Sequence, residues 1–126
     1  MRKSQNNLYF SHIEVLADIV NERKEYFDKF IYYAKKIKTV STELLSEEPK
    51  VIIFGSVVSG AYTPLSDIDV LVISDKFHSL SDEEKRIIRT KVKTAVGRFS
   101  PFQIHIATTS EFSFWWKKFI HRYIEI

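Results

Sequence analysis

Cysteine is absent from the sequence. That excludes disulfides and thiolate metal sites, and it fits the cytoplasmic location expected here. Long apolar runs are absent too. No segment approaches the roughly 18 uninterrupted apolar residues of a spanning helix, so no membrane segment is expected. The opening "MRKSQNNLYFSHIEVL" has neither a long apolar run nor a small-residue cleavage site, so no secretion signal is expected. A strong excess of one charge is missing as well. Lys and Arg number 19 against 16 Asp and Glu, a formal charge of +3. That balance suits an anionic ligand such as a nucleotide and does not indicate nucleic acid. There are only three glycines and three prolines, and none falls between residues 8 and 46.

What is present describes one soluble domain. A chain of 126 residues hides roughly two-thirds of its unfolded surface on folding. Its 44% hydrophobic and 28% charged residues are ordinary for a globular protein. From residue 8 to 46, Ile13, Leu16, Val20, Phe27, Phe30, Ile31, Ala34 and Ile37 recur at spacings mostly of three and four. This predicts one long helix or two with a bend, ended by Pro49. "KVIIF" (50 to 54) predicts a buried strand, "GSVVSG" a short helical piece, "TPLS" a turn and "DIDVLVIS" (67 to 74) a second strand. A helix follows, with Ser81 and Glu84 as a capping box and Gly97 at its end. "PFQIHIAT" (101 to 108) predicts a third strand, with Ile104 and Ile106 on one face and Gln103 and His105 on the other. A last helix is expected from Ser110 to Tyr123, its many aromatics suggesting an interface. The expected fold is α/β (α+β) in the order αβαβαβα, a short mixed sheet of three or more strands flanked by helices.

The chemistry-bearing stretch is "GSVVSGAYTPLSDIDV" (55 to 70). Gly55 after a strand allows a tight turn and close approach of a ligand. Ser56 opens a helical turn whose free N–H groups suit a phosphate. Taken alone, the pair also reads as a plain turn. Asp67 and Asp69 stand two apart on a strand, so both carboxylates share a face, roughly 6 to 7 Å apart by strand rise. They read either as solvated carboxylates at a strand end or as ligands of Mg²⁺, which takes one or two carboxylates together with substrate phosphates. A cation would relieve their mutual repulsion.

The stretch "FGSVVSGAYTPLSDIDVLV" resembles the signature of the nucleotidyltransferase superfamily that includes DNA polymerase beta: Gly-Ser, a spacer of about ten residues, then Asp-hydrophobic-Asp. The resemblance covers about residues 25 to 120. It implies a minimal nucleotidyltransferase, one domain over residues 1 to 126 with an N-terminal helical extension (about 8 to 46). By this likeness Gly55, Ser56 and Ser66 would hold the phosphates of a nucleoside triphosphate. Asp67 and Asp69 would be catalytic and bind Mg²⁺ or Mn²⁺. Many members carry arginines where this chain has Val57 and Ser59, and a third carboxylate where it has Gln103, with His105 the second candidate position. Gln103 offers a carbonyl without charge. His105 fits three roles: ligand, general base, or hydrogen-bonded partner of an aspartate.

Two functions follow from the resemblance. The chain transfers a nucleoside monophosphate, AMP first among them, to an acceptor hydroxyl. Alternatively, it is an antitoxin-like module that binds a nucleotide or a partner without turnover. Minimal nucleotidyltransferases are often paired with a helical HEPN protein as antitoxin and toxin, so a HEPN-type partner is expected, and a homo-oligomer is compatible. His12, His78 and His121 lack spacing for a metal site, and "KKIK" (35 to 38) reads as a solvated helix face.

Overall fold

A computed structural model describes residues 2–126 of the chain, with side chains from His12 onward. The N-terminal helical region is two helices, α1 (Arg2–Asp28) and α2 (Phe30–Leu45). They break at Lys29, where ψ swings to 29°, although no proline or glycine is present. The break redirects α2 onto the sheet, so Ala34, Ile37, Ser41 and Leu45, spaced by three and four, form its buried stripe. The region closes at Leu45 through Ser46 in the left-handed conformation, before Pro49 is reached.

Four strands form one mixed sheet: β1 (Lys50–Phe54), β2 (Ile68–Ile73), β3 (Phe102–Ala107) and β4 (Tyr123–Glu125), in the order β3-β2-β1-β4. β1 is antiparallel to β2 and β4, and β2 is parallel to β3. A parallel pair needs a crossover. The crossover here is a 3₁₀ turn (Asp75–Ser79) and α4 (Asp82–Val96). Ser81 and Glu84 close the expected capping box at the start of α4. At its end Gly97 adopts φ 110°, and a Cβ there would lie 2.8 Å from the Tyr26 hydroxyl.

Alternation sorts the sheet into two faces. Val51, Ile53, Ile68, Val70, Val72 and Phe102 pack against α2 and α4. Ile52, Leu71, Ile73 and Ala107 face the other way. β2 therefore buries both faces, which is why it reads as an almost continuous apolar run.

The expected helix from Ser110 to Tyr123 is corrected. Helix α5 covers only Thr109–Phe114; a short 3₁₀ turn (Trp116–Lys118) follows, and the chain ends as strand β4. Phe112, Trp116 and Ile120 lie over the second sheet face. Tyr123 to Glu125 close the open edge of β1, and the Ile126 N–H donates to the Val51 carbonyl at 2.9 Å. A strand of β-branched and aromatic residues satisfies that edge, which a continued helix would leave unpaired. The two tryptophans part as expected: Trp115 is 60% exposed, while Trp116 packs partly buried.

Candidate active site

The site forms where β1 ends and β2 begins. Antiparallel register sets Phe54 opposite Asp69, and parallel register sets Asp69 opposite Gln103. Phe54, Asp69 and Gln103 therefore stand in one row on the second sheet face. Gly55 follows Phe54 directly and has φ 84°. A Cβ at this position would lie 2.5 Å from Asp69 Oδ2. Only glycine combines this backbone with that approach, so Gly55 and Asp69 form a single structural unit. Ser56 opens the short helix α3 (Ser56–Ser59), whose Val57 points into the core and whose Ser59 hydroxyl returns to the Ser56 carbonyl.

His105 lies one step further along β3. Its Nε2 is 3.2 Å from Asp69 Oδ1, and the ring donates in the tautomer that carries the proton there. Of the three roles open to it, the structure brings out the partner of an aspartate. The imidazole is braced by Phe54 and Trp116, with ring centroids 5.7 and 5.3 Å away. Asp69 is thus held from two sides, Oδ1 by His105 and Oδ2 against Gly55. Asp67 precedes β2 and is solvent-exposed. Gln103 is also exposed, in register beside Asp69.

Ser66 has structural partners: its Oγ accepts from the Thr63 N–H at 2.9 Å and its carbonyl from Arg23 at 2.6 Å. Arg23 Nε also donates to the Pro64 carbonyl at 2.7 Å, and Tyr62 stacks on Phe27 with centroids 4.9 Å apart. The end of α1 therefore clamps the loop that delivers Asp67. Lys93, from α4, donates to the Ser100 carbonyl at 2.6 Å and to the Phe102 carbonyl, tying α4 to the start of β3. Burial pushes its ammonium below the usual lysine range, and the charge of Asp67 opposes that shift. Sequence reasoning missed Arg23, Lys93, Phe54 and Trp116. The Arg23 contacts span 41 and 43 residues, so no local periodicity announces them.

The donor set fits an oxygen-seeking divalent cation. Asp67 and Asp69 offer carboxylate oxygens, and Asp69 Oδ2 occupies a cradle that any side chain at position 55 would fill. Among the described residues, no three His, Asp or Glu side chains converge to hold a metal. Mg²⁺ commonly takes one or two carboxylates and leaves its other positions to water and substrate phosphate. Among the described residues, no helix is long and apolar enough to cross a membrane.

The family model for the nucleotidyltransferase domain matches residues 34–125. The crystal structure of a candidate nucleotidyltransferase is 34% identical, covering 73% of this chain and 95% of its own, with a TM-score of 0.58. A second, of a candidate nucleotidyltransferase from Sulfolobus solfataricus, is 22% identical, covering 78% and 82%, with a TM-score of 0.46. No curated protein matches. With most of its length matched by the family model, the chain belongs to the nucleotidyltransferase domain family.

Proposed function

We propose that the chain transfers a nucleoside monophosphate, AMP foremost, from a nucleoside triphosphate to an acceptor hydroxyl. The observation that carries this reading is the contact of Gly55 with Asp69, which joins the end of β1 to the carboxylate pair. Asp67 and Asp69 hold the divalent metal, Mg²⁺ or Mn²⁺, and the Gly55–Ser56 turn, with Ser66 beyond it, receives the phosphates. When bound, the metal neutralises phosphate charge and favours the attacking oxygen. The acceptor oxygen bonds to the α-phosphorus, the bond from that phosphorus to the α–β bridging oxygen breaks, pyrophosphate leaves, and the hydroxyl proton passes to solvent. His105 acts as a positioning residue that keeps the Asp69 carboxylate in place. Catalysis on this frame is mainly positioning and charge stabilisation.

A HEPN-type helical protein is the acceptor or partner this reading favours. Phe114, Trp115 and Phe119 are 76%, 60% and 64% exposed, next to Trp116, which braces His105. Such a patch suits docking of an amphipathic helix beside the site. The test is incubation with labelled ATP, Mg²⁺ and the helical protein of a neighbouring gene. Label on that protein, lost in Asp67→Asn, is the expected result; no label on any acceptor tried would refute the transfer. A second reading has one observation in its favour. Gln103 occupies the position beside Asp69 where a carboxylate would complete the site. A stable complex that forms without label would make the chain a nucleotide- or partner-binding module.

A further inference from the structure

Beyond the outer edge of β3 lies a cavity of about 520 Å³ between that edge and α4. Arg89, Lys93 and Arg98 line it, with Thr90, Phe102 and Gln103. That volume is in the range of small-molecule sites. Lys93 is committed to carbonyls at its floor. The two arginines are not: among the described residues neither makes a salt bridge, and Arg98 only lies over the Phe99 ring, 5.7 Å from its centroid. Residues 1 to 11 contain no Asp or Glu that could pair with them. Arg86, also on α4, is by contrast held by Glu83. Two unpaired guanidinium forks at one concavity suit a phosphate group, which they can bind bidentately.

The position of the cavity gives it a role. Across the end of the sheet the order is Gly55 on β1, Asp69 on β2, Gln103 on β3 and then the cavity. Gln103 belongs to both neighbourhoods, standing in register with Asp69 and lining the cavity. In a displacement at phosphorus the attacking and leaving oxygens lie in line, on opposite sides. With the leaving pyrophosphate on the Gly55–Ser56 side, the acceptor enters from the Gln103 side. We propose that the cleft between α4 and the edge of β3 is an acceptor subsite for small molecules, in addition to the protein acceptor considered above, and that Arg89 and Arg98 select those bearing a phosphate monoester. This rests on the placement of the nucleotide phosphates at Gly55–Ser56 given above.

Calorimetric titration separates the two claims. One arm adds Mg²⁺ and α,β-methylene ATP to wild type, to Asp67→Asn and to the double variant Arg89→Ala/Arg98→Ala. The other arm adds ribose 5-phosphate, ribose or inorganic phosphate to the protein already saturated with the analogue. Arg86→Ala is the control for charge lost elsewhere on α4. The expected result is ribose 5-phosphate binding that falls at least tenfold in the double variant and is unchanged in Arg86→Ala. Ribose should bind at least tenfold more weakly, inorganic phosphate should show the same dependence on the arginines, and analogue affinity should stay within twofold. Equal binding of ribose 5-phosphate by wild type and double variant overturns the subsite. So does joint loss of analogue affinity, which would give the cleft to the nucleotide's own phosphates, and so does arginine-dependent binding of an oligonucleotide alone. If the analogue binds neither wild type nor Asp67→Asn while ribose 5-phosphate still requires both arginines, the nucleotide placement fails and the phosphate subsite stands.

Discussion

The carboxylate of Asp69 is caught between a glycine and a histidine, and each neighbour can be tested alone. Replacing Gly55 with alanine strains a positive φ and puts a methyl group 2.5 Å from Asp69 Oδ2. Gly55→Ala should cost about 1–3 kcal/mol of stability, read by urea denaturation. It should also displace the carboxylate, lowering Mn²⁺ affinity at least tenfold by calorimetry; unchanged affinity would show that the Gly55 contact does not shape the metal site. Gln103 tests the missing third carboxylate. Gln103→Glu puts a charge in register with Asp69, so without metal the like charges should repel and lower the melting temperature. Added Mg²⁺ should reverse the penalty, because a ligand of the folded state stabilises it by mass action. Parallel responses of variant and wild type to Mg²⁺ would place Gln103 outside the metal's reach.

At the scale of elements, the site depends on two clamps from the helical layer. Arg23 on α1 holds the loop before Asp67, and Lys93 on α4 holds the start of β3. Lys93 makes its clamp pH-sensitive. Burial lowers its folded pKa below the 10.5 of the unfolded chain. Between those two values the unfolded chain binds more protons, so this group's contribution to stability rises with pH across that window. The penalty of the buried ammonium is fully present below the folded pKa. Lys93→Met removes the titration and leaves two carbonyls without their donor. Urea midpoints from pH 7 to 10.5 should therefore show wild type gaining stability relative to Lys93→Met as pH rises. A difference between the two that stays constant with pH would contradict this account. The C-terminal segment is the other decisive element, since it covers the second sheet face with Phe112 and Ile120 and seals β1 with β4.

For the whole molecule, ligand and fold are linked. The site draws on three strands and is clamped from α1 and α4, so nucleotide binding should raise global stability rather than tighten one loop. Mg²⁺ with α,β-methylene ATP at about 100 times its dissociation constant should add about 2.7 kcal/mol. The rise in melting temperature should vanish in chelator and shrink sharply in Asp67→Asn. A rise that survives chelation in full would mean that the analogue binds without the carboxylate pair.

Local chemistry determined a good part of this protein. The apolar runs around Gly55 and Asp69 made β1 and β2 legible, and Ser81 with Glu84 marked the start of α4, because strand periodicity and helix caps depend on neighbours a few residues away. The spacing from Gly55 to Asp69 pointed to the candidate site, and the structure brings these two residues together. The alternation in β3 also put Gln103 and His105 on the face the structure gives them. Contacts between distant residues were decided only by the tertiary structure. The end of the chain reads as an aromatic helix in isolation, yet it breaks after Phe114 because β1 presents an unpaired edge that Tyr123 to Glu125 can satisfy. Arg23, Lys93 and the bond from His105 to Asp69 join segments that no short window contains. The contact of His105 with Asp69 was set by strand register, which brings Leu71 opposite His105 and so leaves the imidazole one step from Asp69.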